Sequence, residues 1–544
     1  MDLNKNLGVD PDSIWVRPTS PGIIYKDLFI IGGEVSEVYG AAPGHIRAYD
    51  TRSGELVWTF HTIPHPGEDG YETWPPEAYK YVGGANNWGG MCLDEERGMV
   101  YAPLGSPTYD FYGSDRHGEN LFGNSIVALD AATGERIWHF QTIHHDIWDY
   151  DLPAPPTLIT LRQAGKDIDA VALPSKVGFL YVFDRVTGQP LFPIEERPVP
   201  TSRIPGEQSW PTQPFPLKPD PYARQYLTIR DLANRSPELH QEAIEKFQSL
   251  HYEGLFTPPD QQGTLLFPGT RGGSEWGGAA VDPYTGWLFI NANESPEVAT
   301  VRQSVSDRPA GQSDAAFGAS LYSIHCSGCH GVKLEGGLAD IPALNEVTTR
   351  LTPPELFTRI KEGNGRMPSF AHLPNEAIKA LIVFLENGNI DEQVKRHETL
   401  SSTTNDFRNT TAYSFFNLSD GLQAIKPPWG TLHAIDLNSG EFKWSIPLGA
   451  HEGARQAGDT ATGTYNYGGP IVTAGGLLII AATKDEKMRI FNKTTGELIW
   501  EYTLPGPGYA SPSTYMHDGR QYLVISVTQG KEQPEGSIIA FALP

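Results

Sequence analysis

Only three of the 544 residues are cysteine, with Cys92 isolated and Cys326 and Cys329 in one motif, so a disulfide framework is excluded. No stretch approaches the ~18 apolar residues of a membrane span. The best run, residues 475–483, has the length of a strand. An apolar leader is missing too: Met1 is followed by Asp2, Asn4 and Lys5, and nothing there resembles a secretion signal. Basic residues are few. Lys and Arg number 41 against 65 Asp and Glu, and the net charge of −24 opposes nucleic acid or an anionic membrane as the main partner.

Turn chemistry, by contrast, is abundant: 57 glycines and 45 prolines. A hydrophobic share of 39% with 11% aromatic residues can fill large cores, which excludes disorder and collagen-like repetition. At ~150 residues per domain the length suggests three or four domains, unless one large all-β architecture absorbs most of it.

One pattern recurs: Asp, three residues, Gly, three residues, an aromatic, behind an alternating apolar run. Its copies are Asp50-Gly54-Trp58, Asp130-Gly134-Trp138, Asp184-Gly188-Phe192, Asp436-Gly440-Trp444 and Asn492-Gly496-Trp500. The Asp caps its own backbone and the Gly takes a positive φ, so each copy predicts a tight turn between two strands. The aromatic then sits at a fixed register on the outer strand, placed to pack between neighbouring sheets. A second signal, aromatic-Gly-Gly followed by a hairpin, opens at Trp88, Trp276 and Tyr467. Together they predict an all-β propeller of radially arranged four-stranded units. Six units are expected, near 20–60, 88–140, 155–192, 276–290 continued at 430–446, 467–502 and 509–544. The last ends in "SIIAFALP" without the turn and aromatic, as expected if a strand from the other terminus completes it. Residues 193–275 are Pro-rich with one helical stretch, 238–250, and predict a surface excursion. Residues 310–395 differ in character and split the fourth unit between its second and third strands. The expected division is a first propeller part (1–309), an insert (310–395) and a second propeller part (396–544).

The insert contains Cys326-Ser327-Gly328-Cys329-His330, the attachment pattern of c-type haem. Two thiols add to the vinyl groups, and the adjacent His is held beneath the iron as an axial ligand. Met367, in "GNGRMP", suits the sixth position as a thioether. Phe317 and Leu321 lead into the motif at helical spacing, and Ile378, Leu381, Ile382 and Leu385 mark one face of a closing helix, so the insert reads as an α-helical cytochrome c domain. A zinc knuckle would need two further ligands, and a redox dithiol would need neither His330 nor Met367.

The Asp-x-x-x-Gly-x-x-x-Trp repeat, "NNWGG" and "QTIHHDIWDYDLPAPP" at 141–156 resemble pyrroloquinoline quinone (PQQ) dehydrogenases, in the branch of membrane-type glucose dehydrogenases and their soluble haem-containing relatives. The resemblance implies an eight-bladed quinoprotein β-propeller with PQQ and a divalent metal, usually Ca²⁺, in its central funnel. By that likeness Trp88 stacks on the quinone, joined by Trp276 and Tyr467 of the sister repeats as cofactor-binding candidates. Asp149 matches the catalytic carboxylate that takes the substrate hydroxyl proton as hydride moves to the quinone, and it also ligates the metal. Lys176 matches the basic residue on the quinone oxygens. Glu37 aligns with a metal ligand.

Three positions depart from the pattern. Ser106 stands where relatives often carry an Asn metal ligand and is taken with Glu37 and Asp149 as a candidate Ca²⁺ ligand, and Glu275 replaces another Asn that meets the cofactor. Asp151 resembles the extra carboxylate of lanthanide-using methanol dehydrogenases, but the glucose dehydrogenase branch shows an acid there too, which favours Ca²⁺. His144 and His145 read as loop structure.

The resulting expectation is a PQQ-dependent dehydrogenase that oxidises an alcohol, polyol or sugar hydroxyl. It would pass electrons to its own haem c and then to an external cytochrome or quinone. The alternatives are a non-catalytic propeller scaffold keeping an electron-transfer haem, or an inactive truncated enzyme. Haem attachment implies the periplasm despite the absent leader, and six units against eight imply an N-terminally incomplete chain.

Overall fold

Each Asp-x-x-x-Gly segment folds as its residue types dictate. Asp50 Oδ1 accepts the amides of Arg52 (2.9 Å) and Ser53 (2.8 Å), and Asp130 Oδ1 accepts those of Ala132 (2.8 Å) and Thr133 (2.9 Å). Gly54 and Gly134 close these turns at φ +74° and +75°, a region that disfavours any residue with a Cβ. The computed structural model describes residues 2–11, 14–163, 165–303, 308, 312–331, 333–336, 341–363, 367, 370, 373–387, 407–411, 414–456, 461–528 and 535–542.

Strands flanking the turns assemble into antiparallel sheets in chain order. Four sheets have four strands: Ile23–Tyr25 to Leu56–Phe60, Cys92–Asp94 to Arg136–Gln141, Ala280–Asp282 to Glu441–Pro447, and Ile471–Val472 to Leu498–Thr503. The sheets spanning Thr157–Asp184 and Ser513–Ala542 have three strands each. In the former the fourth strand shrinks to a bridge between Phe183 and Pro190, because a proline has no amide to extend the ladder. These are the blades of a β-propeller.

Every motif aromatic except Trp500 lands on the turn of the following motif. Trp58 donates its indole N–H to the Ala131 carbonyl (3.3 Å), Trp138 to Arg185 (3.1 Å) and Trp444 to Lys493 (3.1 Å). The rings lie on turn glycines: a Cβ on Gly134 would sit 2.5 Å from Trp58, and one on Gly188 2.6 Å from Trp138. Trp58 thereby joins Ile30, Ile46, Val100 and Val127 in the core between the first two sheets.

Antiparallel order fixes which loops share an end. The motif turns, such as 51–55 and 131–135, close the same end of each sheet that carries one. The alternate connections, 32–45, 61–91, 104–124, 142–156 and 175–179, therefore all emerge at the other end. So does the longest connection, between Trp287–Asn293 and Gly430–Asp436, strands paired in one sheet from Trp287↔Asp436 to Asn293↔Gly430. That connection carries the helical insert, entered through Val301–Gln303 and left through Phe407–Asn409, which pair with each other.

Within the insert, helices Asp314–His325 and Asn375–Asn387 cross closely at Gly318, where a Cβ would lie 2.0 Å from the Ala380 carbonyl oxygen. Phe317, Leu321, Ile378, Leu381, Ile382 and Leu385 all enter its apolar core. Residues 193–275 are less peripheral than their proline content suggests. The helix Pro237–Ser249, capped by Ser236, and the strand Thr264–Leu266 contribute Ala243 and Leu265 to a buried cluster with Phe416, Ile425 and Trp429. Among the described residues, no helix is long and apolar enough to cross a membrane.

The indole-on-glycine contact predicts coupled damage. Trp58→Ala should destabilise the chain by about 3–5 kcal/mol in denaturant titration, and Gly134→Ala should also destabilise it. The double variant should lose clearly less than the sum, because both changes break one contact. Strict additivity would contradict the docking.

Candidate functional site

At the loop end, the 175–179 connection delivers Lys176 into a buried position facing the 142–156 loop. Its Nζ donates to Asp149 Oδ1 (2.9 Å), to the Asp149 carbonyl (3.0 Å) and to Asp151 Oδ2 (3.0 Å). Trp88 donates Nε1–H to the same Asp151 oxygen (3.2 Å), which ties its half-buried ring to the acid pair. The two loops touch backbone to backbone: a Cβ on Gly89 would fall 1.6 Å from the Pro153 carbonyl oxygen. The structure thus joins Trp88, Asp149, Asp151 and Lys176 in one hydrogen-bonded group.

The 142–156 loop is held from inside by Asp146. Its carboxylate accepts the amides of Trp148 (2.8 Å) and Tyr150 (2.8 Å), the Asn124 side chain (2.9 Å) and the Ser106 hydroxyl. Ser106 also donates its amide to Asp151 Oδ1 (2.6 Å), so this residue braces the loop from both of its groups. Asp149 sits at φ +59°, an uncommon backbone state for a residue with a side chain, at the point where Lys176 grips it. His144 and His145 are loop structure as well. His144 bonds Gln141 and Glu196, while His145 bonds the Gly118 carbonyl (3.0 Å) and Glu207 (2.7 Å).

Burial lifts the Asp149 carboxyl well above the usual carboxylate range despite Lys176, and Asp151, Asp110 and Glu37 add to the lift. Asp151 ends below its ordinary value, because Lys176 and the Ser106 bonds outweigh the effect of its burial. Lys176 stays charged: burial disfavours the ammonium, but Asp149, Asp151 and Glu275 raise it further. Asp110, buried in the Ser106 loop, is pushed well up by burial and then by Glu37, Asp151 and Asp146. Sequence reasoning missed Asp110, and its only signal is an acid four residues beyond Ser106. Glu37 lies exposed at the rim, where its charge is felt by Asp110 and Asp149. Buried Asp110 and Asp149 and half-buried Asp151 share one ammonium, and the exposed Glu37 adds to their charge, so the group is rich in oxygen donors and short of positive charge, a chemistry that fits a hard divalent cation.

Trp276 and Tyr467 form a second aromatic group, stacked at 6.0 Å and 11°, with Tyr465 and Tyr509 edge-on to Tyr467. Glu275 connects it electrostatically to Lys176. Burial raises the Glu275 carboxyl to about 8, against the pull of Lys176 and Arg271. Arg271 is itself neutralised by Glu297 at 2.5 Å.

In the insert, His330 Nδ1 lies 2.9 Å from the Pro342 carbonyl. A carbonyl only accepts, so the proton is on Nδ1 and the Nε2 lone pair is left for iron, which fits an axial ligand. Cys326 and Met367 are half-buried against the same core; the Cys329 side chain lies outside the described residues. The motif faces the propeller, where Ser327 Oγ bonds the Thr410 carbonyl (3.0 Å) beside the exit strand. That strand is anchored in turn by the Tyr109 hydroxyl on the Asn409 amide (2.8 Å) and by Arg408 over the Tyr39 ring (4.1 Å).

Both parts of the chain have relatives among known proteins. Residues 313–385 match the cytochrome family described as cytochrome c oxidase, cbb3-type, subunit III. The chain is 30% identical to the quinoprotein glucose dehydrogenase of Escherichia coli K12, with all of this chain covering 60% of that protein. It is 28% identical to the quinate/shikimate dehydrogenase (quinone) of Acinetobacter baylyi, with all of this chain covering 59% of it. With the glycerol dehydrogenase large subunit of Gluconobacter oxydans it shares 30% identity, over 96% of this chain and 62% of that one. The chain thus spans about 60% of the length of these relatives. Its fold resembles the quinohemoprotein alcohol dehydrogenase of Comamonas testosteroni, with a TM-score of 0.56 at 20% identity, over 95% of this chain and 59% of that one. Residues 1–326 and 374–523 match the PQQ family of glucose/ethanol/alcohol dehydrogenase β-propeller domains, and the chain belongs to that family.

Proposed function

We propose that this chain is the propeller and haem portion of a PQQ-dependent dehydrogenase that oxidises an alcohol, polyol or sugar hydroxyl and delivers the electrons, through haem c, to an external cytochrome or quinone. The observation that carries the reading is the buried Lys176 ammonium bonded to both Asp149 and Asp151 beside Trp88. PQQ would be held by Trp88 and Lys176 with the Trp276 and Tyr467 pair. Haem c would be held by Cys326, Cys329 and His330, with Met367 as second axial ligand. Ca²⁺, in preference to a lanthanide, would be held by Glu37, Asp110 and Asp149, with Ser106 bracing the loops around it. When bound, PQQ supplies the two-electron acceptor for the carbinol hydrogen.

Asp149 is the base for the substrate hydroxyl. Without a cation its surroundings favour the protonated acid. A dication among Glu37, Asp110 and Asp149 would favour the carboxylate and leave it ready to take a proton. Lys176 would present its charge to the acceptor oxygens, and Asp151 holds that charge in place. Glu275, with its carboxyl near 8, is an uncharged acid at neutral pH and offers an O–H donor where the resembled enzymes offer an amide. Thioether haem attachment is extracytoplasmic chemistry, so the reading places the chain in the periplasm.

In protein reconstituted with PQQ and Ca²⁺, Asp149→Asn should lower alcohol-dependent dye reduction by about 10²- to 10⁴-fold while the haem spectrum persists. A scaffold would show no substrate-dependent reduction in either form. Lys176→Gln should destabilise the chain by about 3–5 kcal/mol, because it strands Asp149 and Asp151; an unchanged denaturation midpoint would count against the ion cluster. For Glu275, folding raises the carboxyl, so its contribution is present below its unfolded value and is lost as pH rises through about 8. The thermal stability of Glu275→Gln should therefore gain on the parent between pH 5 and 9. A difference that stays flat across that range would refute the buried neutral acid.

A further inference from the structure

Away from the carboxylates, at the same end of the first sheet, three imidazoles meet. Strands Ile46–Asp50 and Leu56–Phe60 pair with Ile46 opposite Phe60, so the next residues outward, His45 and His61, emerge side by side. The chain then turns back and brings His65 onto His61, with ring centroids 3.9 Å apart and 13° between planes. His45 lies 4.7 Å from His61 and 6.0 Å from His65, centroid to centroid. One ring nitrogen from each lies within 4.8 Å of the other two.

Glu68 organises the group. Its carboxylate accepts from His61 Nδ1 (2.9 and 3.1 Å) and from the His65 amide (2.7 Å). The proton of His61 is therefore on Nδ1, which leaves the Nε2 lone pair for a ligand bond. This carboxylate-to-imidazole bond is the arrangement that orients histidine ligands of metals. Neither the proposed redox chemistry nor the blade repeat uses these residues.

We propose that His45, His61 and His65 bind a first-row transition-metal dication such as zinc, with Glu68 orienting His61. Imidazole nitrogen suits zinc, copper or nickel, whereas the carboxylate group around Asp149 suits calcium, so the two sites select different ions. Bonds of about 2.0–2.1 Å in a tetrahedron need ligand nitrogens about 3.3 Å apart. Binding therefore draws the three rings together at their nitrogens and splays the His61 and His65 planes. In this structure His45 Nδ1 accepts from the Thr62 amide (3.2 Å), so its proton is on Nε2; ligation through Nε2 moves that proton to Nδ1, gives up the Thr62 amide bond and leaves Nδ1–H to donate to Thr62 Oγ1, 3.5 Å away. Water completes the fourth position. The ion would clip the 61–91 connection, which carries Trp88, onto the first blade.

The test is calorimetric titration of the haem-loaded full chain with Zn²⁺ in saturating Ca²⁺, which occupies oxygen sites. One equivalent should bind, with zinc K-edge absorption showing nitrogen ligands and a raised melting temperature. His61→Ala and His65→Ala should each weaken binding at least 100-fold. Glu68→Ala should weaken it about 10- to 100-fold, and the exposed His517→Ala should leave it unchanged. His65 is half-exposed, so its variant should keep the parent circular dichroism. Absence of stoichiometric binding, or binding that survives both His61→Ala and His65→Ala, would overturn the proposal.

Discussion

Everything at the loop end depends on an indole lying on a bare glycine at the other. Trp58 on Gly134, Trp138 on Gly188 and Trp444 on Gly496 each combine ring burial with one directed N–H bond to a turn carbonyl. The contact sets the spacing and tilt of successive sheets, because neither partner can move without opening a gap or a clash. With the sheets held at that pitch, loops from three different blades meet closely enough for Trp88, Asp149 and Lys176 to share hydrogen bonds. Trp500 departs from the series: the following sheet has no such turn among the described residues. Its ring packs edge-on to Phe541 and remains 37% exposed.

Charge balance is the second constraint. Asp149 and Asp151 are two residues apart and both touch Lys176, yet folding moves them in opposite directions. The difference follows from partners: Asp151 has the Ser106 amide as well as Lys176, while Asp149 faces Asp110 and Glu37. One ammonium cannot neutralise the whole set, so the cluster either keeps protons or takes a cation. Those two states differ in whether Asp149 is a carboxylate, so under the proposed function a bound cation would be a condition for proton removal.

The fold was legible where chemistry is local. Asp capping its own turn, Gly at positive φ and an aromatic at constant register are fixed by a few neighbouring residues, and the structure reproduces them copy by copy. The loss of the outer strand at Pro190 was equally present in the sequence but lies in a single residue. Trp88, Asp149 and Lys176 were reachable only through resemblance, since their meeting is produced by blade geometry. Asp110 went unnoticed because its significance comes from acids on other loops. Ser106 was placed near the metal only by resemblance, and its second task, donating its hydroxyl to Asp146, depends on a residue of another loop. The histidine cluster was hidden by distance along the chain, although the Ile46 to Phe60 register that creates it follows from the repeat itself.

The helical insert leaves and rejoins the propeller through Val301–Gln303 and Phe407–Asn409, which hydrogen-bond to each other. Its two ends are therefore held about one strand spacing apart, ~4.8 Å. From the standpoint of the blade, the whole insert occupies the place of a hairpin loop. Any small redox module whose termini lie side by side meets the same boundary condition, so the position is a natural grafting point. A propeller of this kind could exchange its helical insert for another module without altering the packing of a single blade.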